Sequence, residues 1–322
     1  MWLDGPWFPF ILDTITGHAD PDTQRTLRQT CRRIRGVVDR ELFKHAMIRS
    51  PTDQGFAVSA RYIRAGLPLC RIASDEDWTD PYDDADTAAV LALLAPTKIL
   101  DVYGHMPPAF RHWFASINPR RHFGSLWEPY TAHYTGRKLV VFRHLSSQDD
   151  VRPRWLHMAL GPSLRTLVVN IIFEQQLDPR ILLAAGGEVP NLGDIDELVV
   201  VLAPQGRRCP FPRAKPTEYG AFFNIYHLVA QYTDHSLKST IVGMESIDCR
   251  WLGSSSPLDS AEIVQSARKI INNLANHYFE KEKGFPMLPM EAFQFNSLLT
   301  FMTLNEYRAA VGEDEFAVNT VA

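Results

Sequence analysis

The sequence predicts an α/β protein in which a short three-helix module precedes a larger layer of helices and mostly parallel strands. Two largely apolar, β-branched runs, at residues 164–173 and 198–202, have the length and composition of strands that are covered on both faces. Segments with helical periodicity alternate with such runs along most of the chain. The first fifty residues instead carry only short helical patterns.

Three short helices are expected over residues 9–48. Pro9 suits the first turn of a helix, and Asp20 followed by Pro21 is a typical N-cap with a proline in the first turn of the next one. Gly36 is expected to break the second helix. That helix carries a stripe at spacings of four, three and four residues: Leu27, Cys31, Ile34 and Val38. The apolar side chains of the third helix are Leu42, Phe43, Ala46 and Met47.

Composition divides the chain into three parts. Residues 1–50 are the helical module, residues 51–85 are a linker, and residues 86–322 are the α/β domain. Within the linker, residues 51–55 are expected to form a loop. An acidic segment, 75–86, begins in the linker, ends at the first residue of the α/β domain and holds seven acidic residues. This segment lacks the alternating ligands and the central glycine of a calcium loop, so a solvated loop is expected.

The α/β domain alternates predicted strands and helices. Strands are expected at 98–103, 139–142, 164–173, 198–202 and 239–247. Helices are expected at 86–94, 107–119 and 216–232, then from a cap at Ser256, and finally from a capping box of Thr303 and Glu306 to Gly312. Because the strands are unevenly spaced, an open sheet and an irregular leucine-rich-repeat-like horseshoe both fit the pattern.

Charge and cysteine content exclude several classes of protein. The 33 basic and 37 acidic residues leave a net charge of -4, which disfavours nucleic-acid binding by the whole protein. No apolar run reaches the ~18 residues of a membrane span. The four cysteines lie far apart without a Cys-x-x-Cys pair, which is typical of a reducing compartment. A cytoplasmic or nuclear protein without a membrane partner is expected.

No catalytic, cofactor-binding or metal-binding motif is present in the sequence, so an enzyme is not expected. Two alternatives stay open. His105 follows a predicted strand end, where composite active sites of α/β proteins often lie. The basic face between Arg25 and Arg40 belongs to a segment, 25–49, with eight basic and two acidic residues, and it could meet the phosphates of a nucleic acid.

Residues 8–48 resemble a divergent F-box, the adaptor-binding module of cullin-type ubiquitin ligases. Phe8-Pro9 and Ile11-Leu12 match the opening of the family, Cys31-Arg32-Arg33-Ile34 matches its Cys-Arg-rich helix, and Leu42-Phe43 matches its last short helix. Phe8 and Phe10 depart from the family's leucine and acidic residue. The C-terminal residues 301–316, with Thr303, Glu306, Gly312 and Phe316, resemble a tail of uncharacterised fungal F-box-like proteins.

The resemblance implies a function without catalysis. The module would bind a Skp-type adaptor of a cullin ubiquitin ligase, and the α/β domain would recruit a protein substrate that the sequence does not identify. Ligation itself would belong to other subunits. The residues that the resemblance assigns to adaptor binding are Pro9, Ile11, Leu12, Leu27, Ile34 and Val38.

Overall fold

A computed structural model describes a little over half of the chain. The described residues are 14–16, 18–29, 32–42, 44–52, 55–60, 71–72, 95, 97–103, 120–123, 136–145, 163–174, 195–205, 237–247, 249–252, 254 and 256–320. The chain forms two compact units, Met1–Arg121 and His122–Ala322. The residues of three predicted helices, 86–94, 107–119 and 216–232, lie outside the described part of the chain.

Two helices, α1 (Pro21–Arg28) and α2 (Arg32–Leu42), pack against each other in the first unit. The predicted cap is confirmed, because Asp20 Oδ1 accepts a hydrogen bond from the Thr23 N–H at 3.0 Å. The single stripe with a break at Gly36 is wrong. The interruption falls between Arg28 and Arg32, while Gly36 lies inside α2 on its exposed side.

The expected third helix is a strand instead. Ala46 and Met47 belong to β1 (His45–Thr52), which runs parallel to β4 (Ile99–Tyr103) and antiparallel to β2 (Gly55–Ala60). Three consecutive side chains from His45 to Met47 are buried. Consecutive side chains of a strand point to opposite faces of the sheet, so burial of all three requires cover on both faces. A surface helix buries one side only, so this pattern fits a strand and not a surface helix.

The strands of the first unit follow the order β4-β1-β2-β3, with β3 at Arg71–Ile72 pairing antiparallel to β2. Strands β2 and β3 lie within the segment that the sequence indicates as a linker. The predicted strand at 98–103 is confirmed as β4. The short strand β5 (Arg120–Phe123) spans the boundary between the two units.

Five parallel strands form the sheet of the second unit, so the predicted α/β character is confirmed. They are β6 (Lys138–Leu145), β7 (Thr166–Glu174), β8 (Glu197–Gln205), β9 (Lys238–Val242) and β10 (Leu299–Met302). Each strand pairs with the one before it in the sequence. The predicted strand 239–247 is shorter than expected, because Gly243 at φ 85° turns the chain into a 3-10 turn at Met244–Ser246.

The first face of this sheet packs on helix α3 (Ser260–Lys283). Ile263, Ala267, Ile271 and Leu274 line one side of α3 at helical spacing and are buried. The predicted cap at Ser256 is wrong. Asp259 caps the helix, since it accepts the Glu262 N–H at 2.8 Å and donates its own N–H to the Glu262 carboxylate at 2.9 Å.

Helices α4 (Pro289–Leu298), α5 (Leu304–Val311) and α6 (Glu313–Thr320) complete the described part of the second unit. The capping box of α5 is confirmed, with Glu306 N–H donating to Thr303 Oγ1 and Thr303 N–H to the Glu306 carboxylate. Gly312 ends α5 at φ 86° as predicted. The further helix α6 follows directly, and α6 contacts β7.

Candidate interaction surfaces and a buried polar cluster

The predicted adaptor-binding residues fall into three groups. Pro9, Ile11 and Leu12 lie outside the described residues. Leu27 on α1 and Ile34 on α2 are partly exposed, so both are accessible to a partner. Val38 has 0% exposure, which assigns it to packing within the first unit and not to a contact surface.

The structure adds little evidence for the two alternative sites, His105 and the basic face between Arg25 and Arg40. His105 lies outside the described residues. On the basic face, Arg35 is exposed on α2. Among the described residues, no group of three or more His, Cys, Asp or Glu side chains could hold a metal ion. Cys249 is intermediate in burial and forms no disulfide.

An apolar patch that no sequence pattern indicates lies between the end of α3 and the start of α4. We define the 285–293 patch as Phe285, Leu288, Met290 and Phe293, whose exposures run from 48% to 73%. Large apolar side chains that stay exposed side by side mark sites of protein contact more often than isolated ones do. The patch is therefore a candidate interaction surface of the second unit.

Hydrogen bonds fix the turn that carries the 285–293 patch. Gly284 ends α3 at φ 81° and donates its N–H to the Glu280 carbonyl oxygen at 2.8 Å. The Met287 N–H donates to Asn276 Oδ1 at 2.8 Å, and the Leu288 N–H donates to the Glu291 carboxylate at 2.7 Å. These bonds present the patch on an ordered turn, which reduces the entropy cost of binding.

Two side chains of α3 also hold α4 through a single acceptor. Asn296 Oδ1 accepts from Asn272 Nδ2 at 3.1 Å and from Arg268 at 3.3 Å. The Arg268 guanidinium lies 5.0 Å from the centroid of the Phe301 ring on β10. The helix that bears Met290 and Phe293 is thus fixed to α3 by polar contacts.

A row of polar side chains crosses the second face of the sheet, where β6, β7, β8 and β9 begin. The register pairs Lys138 with Thr166, Thr166 with Glu197, and Glu197 with Lys238. Thr166 Oγ1 lies 3.5 Å from the Glu197 carboxylate. Lys138 is mostly buried and pairs with Glu315 of α6, whereas Lys238 at the far end of the row is exposed.

Further along β7, the fully buried Asn170 joins the sheet to α6. Its Nδ2 donates to the Asn319 carbonyl oxygen at 2.9 Å. Asn319 Nδ2 in turn donates to the Tyr307 hydroxyl at 2.7 Å. Burial raises the pKa of Tyr307 to about 12, so this phenol is neutral at physiological pH.

A polar side chain within a predicted strand indicates a buried hydrogen bond. Asn170 interrupts an otherwise apolar run, and a buried amide needs hydrogen-bond partners. Its partner Asn319 is 149 residues away, which local patterns do not reach. The cluster of Lys138, Asn170, Tyr307, Glu315 and Asn319 thus attaches the C-terminal helices to the sheet.

No family model, curated protein or solved structure matches the chain. None of the helices in the described part of the chain is long and apolar enough to span a membrane.

Proposed function

We propose that the protein is an F-box-like adaptor that links a Skp-type subunit of a cullin ubiquitin ligase to a protein partner. The observation that carries the proposal is that each unit has its own partly apolar surface. In the first unit this surface includes the accessible side chains of Leu27 and Ile34. In the second unit it is the 285–293 patch. An adaptor needs two separate surfaces, because it binds two proteins at once.

The first surface lies within the segment that resembles the F-box. Leu27 and Ile34 are on α1 and α2, which pack together, and both side chains keep part of their area exposed. Val38 on α2 is fully buried, so it stabilises the fold of the first unit and does not meet a partner. Nearby exposed Arg35 adds positive charge, which favours an acidic partner surface.

Binding of the purified full chain to a purified Skp-type adaptor tests the proposal directly. We expect wild-type binding by titration calorimetry and a loss of at least ~100-fold with Leu27→Asp, since a charge buried in an apolar interface costs several kcal/mol. Ile34→Asp is expected to act in the same way. Far-UV circular dichroism establishes that each variant keeps its secondary structure.

Two variants on exposed positions serve as controls. Phe293→Ser changes the second surface, and it is expected to leave adaptor affinity unchanged. Arg35→Ala removes the positive charge next to Ile34 without placing a new charge in an apolar contact, so it is expected to weaken adaptor binding less than Leu27→Asp does. Absence of wild-type binding, or equal binding by Leu27→Asp and Phe293→Ser, would contradict the proposed function.

A further inference from the structure

Helix α4 has large apolar side chains on two of its sides. On the inner side, Phe295 is buried in the core that α3 and the sheet share. The outer side consists of exposed residues at the spacing i, i+3, i+4 and i+7 of a single helical face: Met290, Phe293, Gln294 and Ser297. We call these four residues the outer face of α4. A helix with large apolar side chains on opposite sides is normally covered on both, so a further molecule is expected on this face.

The outer face of α4 carries no charge. Glu291 is the charged residue in the sequence of α4, and it lies off this face, where its carboxylate accepts the Leu288 N–H at 2.7 Å. The last turn of α3 beside the patch alternates two glutamates and two lysines, at 280–283, so it adds no net charge. A strongly acidic or basic partner would find no opposite charge here. Two copies of the same uncharged face meet without unpaired charges, which favours a second copy of this chain.

The exposed apolar area also fits a second copy. The 285–293 patch consists of Met290 and Phe293 on the outer face, with Phe285 and Leu288 in the turn before them. Their exposed fractions, from 48% to 73%, amount to roughly 500 Å² in total, because a side chain of this size has about 200 Å². Two copies would bury about 1,000 Å², which is the lower limit for a specific interface. This area predicts a weak, reversible dimer and not an obligate one.

Side-chain size changes along the outer face and indicates how the two copies are oriented. Met290 and Phe293 are large, whereas Ser297 in the last turn is small. A parallel pair of α4 helices would set large side chains against each other at one end and leave a gap at the other. An antiparallel pair about a twofold axis between residues 293 and 294 sets Met290 against Ser297 of the second copy. Contacts of large against small side chains pack without voids, which favours the antiparallel pair.

We propose that the protein forms a reversible homodimer through the outer face of α4, with the two helices antiparallel about a twofold axis. Phe293 lies beside the axis, and the hydrogen bonds of Met287 and Leu288 hold the turn before α4 in place without further ordering. The dimer does not rest on the proposed adaptor function, because these contacts all lie within the second unit. A protein partner that uses the 285–293 patch would bind the monomer and compete with the second copy.

Sedimentation velocity of the purified full chain tests the dimer. We expect the weight-average sedimentation coefficient to rise between about 1 and about 200 μM, because an interface of this area gives a dissociation constant of about 1–100 μM. Phe293→Ser is expected to raise this constant at least ~100-fold. The twofold axis removes the side chain from both copies at once, and each loss of a central aromatic side chain costs about 10-fold.

Ile15→Ser is the matched control for Phe293→Ser. Ile15 is another large apolar side chain, 49% exposed, and it lies in the first unit. Its replacement removes apolar area from a surface outside the proposed interface. The dissociation constant of the dimer is expected to stay within about threefold of the wild-type value. Far-UV circular dichroism establishes that each variant keeps its secondary structure.

Ser297→Phe separates the antiparallel packing from non-specific apolar association. The substitution adds apolar area to an exposed position, so non-specific association would become tighter. In the antiparallel dimer the larger side chain meets Met290 of the second copy, and dimerisation is expected to weaken at least ~10-fold. Ser297→Ala keeps this position small and is expected to stay within about threefold of the wild type.

Three results would overturn the proposal. The first is a wild-type chain that stays monomeric up to about 200 μM, which would leave the patch to a different protein or to a lipid surface. The second is an equal dissociation constant for Phe293→Ser and Ile15→Ser. The third is a tighter dimer with Ser297→Phe. Titration of the Skp-type adaptor with Leu27→Asp is a separate measurement, so failure of the dimer and failure of the adaptor function are distinguishable.

Discussion

Gly243 is the position where a single methyl group is expected to cost most. It follows β9 with φ +85°, and its N–H donates to the Met302 carbonyl oxygen at 2.9 Å, which joins β9 to the end of β10. A Cβ atom added to Gly243 would lie 2.4 Å from the Leu202 carbonyl oxygen. That distance is far inside van der Waals contact, and the obstacle is backbone instead of a flexible side chain.

Two terms set the expected magnitude for Gly243→Ala. The left-handed backbone costs an L-residue about 1–2 kcal/mol. Relief of the contact with Leu202 requires a shift of backbone in the sheet, which adds about 1–3 kcal/mol by comparison with overpacked cores. We therefore expect a loss of about 2–5 kcal/mol in the free energy of unfolding.

Gly284→Ala is the matched control for this prediction. Gly284 has nearly the same φ, +81°, but nothing lies within 4 Å of an added Cβ. It should cost only the backbone term, about 1–2 kcal/mol. Both glycines belong to the second unit, so urea unfolding followed by far-UV circular dichroism reports both. Equal losses for the two variants would refute the steric reasoning.

Three further changes have smaller expected effects. Gly36→Ala should raise thermal stability by about 0.5–1 kcal/mol, because α2 is open there; a lower melting temperature would contradict this. Tyr307→Phe should cost about 1 kcal/mol in urea unfolding, because Asn319 loses an acceptor; no change would contradict this. Hydrogen bonds from Thr303 lower the pKa of Glu306, so Glu306→Gln should have a lower melting temperature than the wild type at neutral pH. This difference in melting temperature should shrink as acid protonates the wild-type carboxylate; a difference that does not change with pH would contradict this.

The central strands were predictable because a strand that is buried on both faces has a largely apolar sequence. β7 and β8 are apolar at nearly every position, and both begin close to the expected residues. β1 shows no such pattern, since Arg49, Ser50 and Pro51 follow Ile48 in its sequence. Its strand conformation comes from pairing with β4, more than forty residues later, and local periodicity carries no information about that pairing.

The candidate surfaces were less predictable than the strands. The spacing of Leu27 and Ile34 predicts a single helix, whereas the structure places Leu27 on α1 and Ile34 on α2. The exposed Phe293 has the composition of a core residue, so its position at the surface is not visible in the sequence. The Lys138–Glu315 pair joins residues far apart in the sequence, which no local pattern connects.

The strand order of the second unit favours binding on faces over binding in a crevice. Doubly wound sheets bind ligands where the strand order reverses, because two neighbouring connections diverge there and leave a cleft. From β6 to β10 each strand lies beside its predecessor, so the order does not reverse within this stretch. Among the described residues, one face of these strands packs on α3 and the other carries α6, so the 285–293 patch is the described apolar surface that a macromolecular partner would meet. Phe293→Ser tests this surface, because Phe293 is 73% exposed and its replacement alters the patch without touching the buried core beneath α3.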